Sequence, residues 1–190
     1  MLPASDRRAF FARGLSRLLG QAAEAVTERL APTGYIRPPG ALPEAGFLAA
    51  CTRCGECIRA CPAEAIVTLG AEHGLAGGTP TLEPARNACL MCPDMPCAVA
   101  CPTEALGVPA DGWASVNIGV AAIDPDRCIA HRGVTCGVCA RVCPVGERAL
   151  HLDRSGRPVL AEGCTGCGAC AVACVTVPSS ITIRIAREVA

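Results

Sequence analysis

The chain has 190 residues, sixteen of them cysteine, and its seventeen basic side chains, all arginine, balance seventeen acidic ones to a formal net charge of zero. One Trp, one Tyr and three Phe rule out a large aromatic core, and no cluster of basic and aromatic residues offers a nucleic-acid surface. No uninterrupted apolar stretch approaches the roughly 18–20 residues that cross a bilayer, so any membrane contact is peripheral or through a partner.

Residues 1–36 form an N-terminal segment and linker. Ser5-Asp-Arg-Arg-Ala-Phe-Phe11 resembles a twin-arginine export core around Arg7 and Arg8. An export signal continues with an uncharged apolar segment, whereas here Arg13, Arg17, Glu24, Glu28 and Arg29 follow. Phe11, Leu15, Leu18, Ala22, Val26 and Leu30 recur every three or four residues, the period of an amphipathic helix. Three readings stand: a helix packed on the protein's own body, a docking helix for a membrane surface or partner, and an export signal. Pro32 and Pro38-Pro39-Gly40 then make a stiff linker.

Residues 37–190 carry the cysteines in four blocks of four: Cys51, Cys54, Cys57, Cys61; Cys89, Cys92, Cys97, Cys101; Cys128, Cys136, Cys139, Cys143; and Cys164, Cys167, Cys170, Cys174. The first reads C-x2-C-x2-C-x3-C-P, the spacing of bacterial ferredoxins that hold [4Fe–4S] clusters. Three thiolates on a tight loop can wrap a cubane, and the fourth is drawn away; in ferredoxins with two clusters it ligates the other one. The prolines that follow (Pro62, Pro102, Pro144) have no N–H to donate and turn the chain aside.

The blocks are internal repeats. Pro62-Ala-Glu-Ala-Ile66 and Pro102-Thr-Glu-Ala-Leu106 follow the first two, and Pro144-Val-Gly-Glu-Arg-Ala-Leu150 the third. The fourth departs: Val175 replaces the proline, and the alternating run Ile181-Thr-Ile-Arg-Ile185 is that of a half-buried strand. Each unit is expected to be half a ferredoxin: ligand loop, helical turn, short strand. The longer spacers Pro93–Pro96 and between Cys128 and Cys136 read as enlarged loops that alter a cluster's surroundings while all ligands are kept.

A disulfide scaffold seldom repeats a block closing in C-x3-C. Zinc sites usually present two C-x2-C pairs far apart. A cluster-based redox or oxygen sensor does not require four clusters. Electron transfer is the reading that uses every cysteine. Sixteen thiolates around four cubane cores of about +2 would leave the loaded protein near −8 in charge, and the clusters would crosslink a chain too poor in aromatics to fold on its core alone. His131, in the long third spacer, has no ligand vacancy to fill; His73 and His151 read as surface or strand residues. Met91 and Met95 read as shields of a cluster from water, and Trp113 as either a loop anchor or a partner contact. No catalytic constellation is present, neither a nucleophile–base pair nor a Walker or dinucleotide loop.

From residue 37 onward the sequence resembles the MauM/NapG family of ferredoxin-type proteins. The resemblance rests on Arg37-Pro-Pro-Gly-Ala41, Cys51-Thr-Arg-Cys-Gly-Glu-Cys57, Gly74-Leu-Ala-Gly-Gly-Thr-Pro80, Cys89-Leu-Met-Cys92, Pro96-Cys97, the seven-residue third spacer and Cys164-Thr-Gly-Cys-Gly-Ala-Cys170. It implies an α+β fold of two interlocked dicluster ferredoxin-like units and an accessory electron carrier with four [4Fe–4S] clusters, not an enzyme. It also implies a membrane-bound, quinol-linked iron–sulfur donor and a terminal reductase or cytochrome as acceptor. Family members carry a true twin-arginine signal; the charged segment here reads instead as a vestigial signal on a cytoplasmic protein open to membrane association, with periplasmic export as the alternative. Similar four-block subunits of molybdenum oxidoreductases pair the first block with the fourth and the second with the third. Carried over, this expects cages of Cys51, Cys54, Cys57 with Cys174; Cys164, Cys167, Cys170 with Cys61; Cys89, Cys92, Cys97 with Cys143; and Cys128, Cys136, Cys139 with Cys101. Pairing of adjacent blocks is the alternative. An iron–sulfur subunit of a cytoplasmic molybdenum- or hydrogenase-type oxidoreductase is the alternative function, and a sensor a third.

Overall fold

Four ligand loops leave little room for long elements, and every helix and strand among the described residues of the computed structural model is short. It describes residues 34–185; the expected amphipathic helix and the arginine pair lie outside the described residues. Among the described residues the longest helix is α1 (Glu44–Ala50), which enters straight after Pro43 and runs into Cys51. An acidic residue in its first turn suits the positive end of the helix dipole, and Phe47, fully buried, seats the helix on the core. Burial of such a side chain stabilises by about 1.5–3 kcal/mol.

Single-turn α2 (Glu56–Arg59) precedes β1 (Ile66–Thr68), which pairs antiparallel with β2 (Pro80–Leu82) across a 3-10 turn at Ala71–Ala76. Next come α3 (Pro96–Val99) and a 3-10 turn at Gly112–Ala114. The second half holds β3 (Val120–Ile123), α4 (Val138–Arg141), β4 (Leu150–Leu152), β5 (Pro158–Leu160), α5 (Ala169–Val172) and β6 (Ile181–Arg184). There β4 pairs with β5, and β3 with β6 in the register Val120↔Arg184 to Ile123↔Ile181. The alternating C-terminal run is thus a strand, with Ile181 buried and Thr182 exposed.

Two features depart from the expected repeat. The helical turn does not follow the ligand loop but lies within it, starting one residue before the third cysteine of each block and ending before the fourth. The second block has no strand behind it; Leu106 makes only an isolated bridge to Ala41, because Gly107 follows and pairs its N–H with Gly40 O at 2.8 Å.

The buried side chains form two cores. The first gathers Phe47, Ile66, Leu82, Met95, Leu106, Val116 and Ile118. The second is smaller: Ala121, Leu150, Ala171 and Ile181 with the cysteines between them. Ile183 touches both.

The first core has a polar lock at its entrance. Arg37 meets Glu44 in a two-pronged ion pair, Nη2 to Oε1 at 2.6 Å and Nε to Oε2 at 2.9 Å. Its guanidinium lies 4.5 Å from the Tyr35 ring centroid and 4.4 Å from that of Phe47, and Nη1 donates to Thr79 Oγ1 and Pro80 O. The Tyr35 hydroxyl donates to Glu44 Oε1 at 2.8 Å. Burial, reinforced by that carboxylate, pushes the Tyr35 phenol up to about 12. A paired buried charge of this kind is tolerable because each guanidinium nitrogen has an acceptor.

Candidate iron–sulfur site

The four one-turn helices share a construction. Each carries the third cysteine of its block, and the residue capping it is left-handed: Gly55 (φ 76°), Met95 (φ 41°), Gly137 (φ 118°) and Gly168 (φ 88°). Three blocks have a second left-handed residue just before the second cysteine: Arg53, Met91 and Gly166. Alternating right- and left-handed residues aim successive N–H groups into one concavity, a nest suited to anionic sulfur. Arg53 also ties its loop down, Nη2 to Leu75 O at 2.9 Å and Nε to Gly77 O at 3.1 Å.

Four cavities result, each lined by four cysteines. Cage 1 collects Cys51, Cys54, Cys57 and Cys101. Cage 2 collects Cys89, Cys92, Cys97 and Cys61, cage 3 Cys164, Cys167, Cys170 and Cys143, and cage 4 Cys128, Cys136, Cys139 and Cys174. All sixteen cysteines are therefore brought together in fours, but not in the expected sets. Neither Cys174 with Cys51, Cys54 and Cys57, nor Cys143 with Cys89, Cys92 and Cys97, shares a cavity; adjacent blocks exchange their fourth cysteines. The reason is local packing: α2 lies on α3 and α4 on α5, so each departing fourth cysteine reaches the loop of its immediate neighbour. The enlarged spacers keep their cysteines, as expected.

The donor chemistry fits iron–sulfur clusters. Burial, with mutual thiolate repulsion adding to it, pushes the thiols of Cys57 and Cys89 up to about 11 and those of Cys97 and Cys170 up to about 12. Four crowded thiolates need positive charge among them. Among the described residues no three His, Cys, Asp or Glu side chains close on a point suited to a single ion; the four cysteines of each cage stand instead around a shared cavity.

Cages 2 and 3 sit back to back. Cys89 N–H donates to Cys167 O at 2.8 Å, Ile118 N–H to Thr165 O at 3.0 Å, and Thr165 Oγ1 to Met91 Sδ at 3.4 Å. Cage 1 is lined only by residues of the first half and cage 4 only by residues of the second. The loops of cages 2 and 3 thus join the halves, which makes these the inner cages and cages 1 and 4 the outer ones.

Other expectations resolve individually. Met95, 1% exposed, lines cage 2 beside its cysteines. Trp113 is a loop anchor: its Nε1–H donates to Cys92 O at 2.9 Å. His131 does not line cage 4, His73 stacks edge-on against Tyr35, and His151 lies in β4. Three hydroxyls went unnoticed in the sequence. Thr176 and Ser180 lie 3.2 and 3.3 Å from Cys174 Sγ, and Thr103 lies 3.8 Å from Cys101 Sγ. Although burial opposes it, the Ser180 and Thr176 hydroxyls hold the Cys174 thiol down at about 6.

Comparison with known proteins follows the same division. Two family models, both described as 4Fe-4S dicluster domains, match residues 50–105 and 120–175. Two such domains with sixteen cysteines define an iron–sulfur protein of ferredoxin type that carries four [4Fe–4S] clusters. Over 185 residues the chain is 40% identical to the methylamine utilization ferredoxin-type protein MauM of Methylorubrum extorquens, covering 90% of this chain and 83% of that one. It is 36% identical over 160 residues to the ferredoxin-type protein NapG of Escherichia coli, covering 78% and 69%. The chain belongs to the MauM/NapG family of ferredoxin-type proteins, which are electron carriers and not enzymes. No solved structure matches.

Proposed function

We propose that the chain relays single electrons between a membrane-bound, quinol-linked iron–sulfur donor and a terminal reductase or cytochrome, and that the four cages named above are the ligand sets. The observation that carries this is the back-to-back contact of cages 2 and 3 through Cys89 N–H and Cys167 O at 2.8 Å, which supports one continuous row of sites with two separate ends. When bound, a [4Fe–4S] cluster accepts and returns one electron. The protein's own contribution is to hold that row and tune it. The left-handed caps fix the third cysteines, Met95 keeps water from cage 2, and Trp113 locks the Cys92 carbonyl.

The donor is supported by the family resemblance alone. Among the described residues no helix is long and apolar enough to cross a membrane. A cytoplasmic, peripherally membrane-associated location is the reading we favour, because Arg13, Arg17, Glu24 and Glu28 interrupt the apolar segment that export requires; fractionation of the native cell tests it, and recovery from the periplasm overturns it. A second reading is a standing iron–sulfur subunit of a larger oxidoreductase. It is favoured by the exposed valines flanking Cys174: Val172 (47% exposed), Val175 (54%) and Val177 (98%).

Anaerobic purification followed by mixing with quinol-charged native membranes tests the relay. The account expects about sixteen irons per chain and bleaching of the cluster absorption that depends on the membranes. Full iron without membrane-dependent reduction overturns the quinol-linked donor. Co-purification with a catalytic subunit favours the second reading.

A further inference from the structure

The two cages of each half differ in what their departing cysteine meets. We propose that hydroxyl groups hold the cluster of each half's outer cage at a higher potential than its inner neighbour, strongly at cage 4 through Thr176 and Ser180 and weakly at cage 1 through Thr103. The proposal rests on the ligand sets given above.

A cysteine that ligates iron has no proton, so a hydroxyl beside it must donate. Such a bond draws negative charge off the sulfur and eases the addition of an electron to the cluster; hydrogen bonds to sulfur are among the levers that set iron–sulfur potentials. Reduction adds one electron to the cluster and breaks no bond.

At cage 4 the arrangement is built to donate. Ser180 N–H donates to Thr176 Oγ1 at 2.8 Å. The Thr176 oxygen is thereby an acceptor along one direction, leaving its own proton for Cys174 Sγ, 3.2 Å away. Ser180, 2% exposed, has its hydroxyl 3.3 Å from the same sulfur, and its carbonyl is held by Asp124 N–H at 2.8 Å. At cage 1, Thr103 lies 3.8 Å from Cys101 Sγ, which also accepts from Leu106 N–H at 3.4 Å. Among the described residues, the departing cysteines of the inner cages, Cys61 and Cys143, meet no such hydroxyl. The residues two beyond Cys61 and Cys143 are Ala63 and Val145; the hydroxyl of Thr165, in the lining of cage 3, donates to Met91 Sδ and also bears on Cys167, which is a loop cysteine and not the departing one. Cage 3 does receive backbone N–H groups, among them that of Ala121, 3.5 Å from Cys164 Sγ. On this tuning, electrons entering either half would settle at its outer cage.

The test is an EPR-monitored redox titration of the anaerobic, cluster-loaded chain, compared with Thr176→Val/Ser180→Ala, each single variant, Thr176→Ser and Thr103→Val. The double variant is expected to lower one midpoint and leave the others in place, the singles to lower the same one less, Thr176→Ser to restore it, and Thr103→Val to lower a different one slightly. The single variants decide the matter if the double variant fails to load. Unchanged midpoints at full iron content overturn the proposal. Cys174→Ser separates the two layers: if it perturbs the signal assigned to cage 4 while the hydroxyl variants do nothing, the tuning fails and the ligand sets stand. If instead it perturbs the signal that Cys54→Ser perturbs, the ligand sets themselves fail, and the proposal with them.

Discussion

The two halves carry the same pair of cages but are stabilised differently. The first half has a protein core around Phe47, Met95 and Leu106 and the locked ion pair of Arg37 and Glu44. The second has a handful of small aliphatic side chains and two short antiparallel pairs. Each core also holds two third-position cysteines, Cys57 and Cys97 in the first and Cys139 and Cys170 in the second, where they are a larger share of fewer side chains. Clusters are therefore crosslinks added to a core in the first half and much of the core in the second, much as metals substitute for hydrophobic burial in small domains.

Iron removal should separate the halves most. Under anaerobic chelation, backbone protection from hydrogen exchange at Ala121 and Ile183 is expected to vanish while part of that at Phe47 and Leu82 persists. Simultaneous loss at all four would erase the distinction. The reverse lesion is Arg37→Ala, which leaves Glu44 buried (side chain 3% exposed) without its partner. It should cost about 3–5 kcal/mol, and hydrogen exchange should place the loss in the first half with the β3–β6 amides unaffected.

The joint between the halves can be struck separately. Gly168 has φ 88°, and a Cβ there would stand 2.6 Å from Pro84 Cβ and 2.8 Å from Pro84 O. Gly168→Ala should therefore cost about 1–2 kcal/mol in backbone strain plus the displacement of Pro84, and slow exchange of electrons between the halves in freeze-quench EPR. Unaltered rates would mean that this contact is not on the route.

The smallest effect concerns alkaline pH. Tyr35 is held at about 12 in the folded chain by burial and by Glu44, against an ordinary value near 10. Below that ordinary value its contribution is fully present. As pH climbs from about 10 to 12 the unfolded chain releases the proton and the folded one does not, so stability falls. Tyr35→Phe should flatten denaturation midpoints across that window in the first half alone.

Much of this was readable from the chain. The cysteine blocks gave the cofactor and its number, and the alternation at Ile181–Ile185 gave the last strand. The pairing of blocks was not legible, because C-x3-C-P says that the fourth cysteine leaves its loop but not which loop it reaches; packing of α2 on α3 and α4 on α5 decides that. The glycines two before Cys57, Cys139 and Cys170 carried a readable signal for the left-handed caps, whereas Met95 hid the fourth, since a side chain there is strained and is retained for its place in cage 2. Arg37 and Glu44 look like ordinary surface charges until the Pro-Pro-Gly turn brings them together. The hydroxyls around Cys174 became visible only once the loop replacing the missing proline was folded back on the sulfur.

The account stands most directly on which cysteines share a cluster, and EPR of three single variants, Cys54→Ser, Cys101→Ser and Cys174→Ser, measures it. Adjacent pairing predicts that Cys54→Ser and Cys101→Ser alter the same reduced-cluster signal and that Cys174→Ser alters a different one. Matching changes from Cys54→Ser and Cys174→Ser, with Cys101→Ser apart, would contradict it.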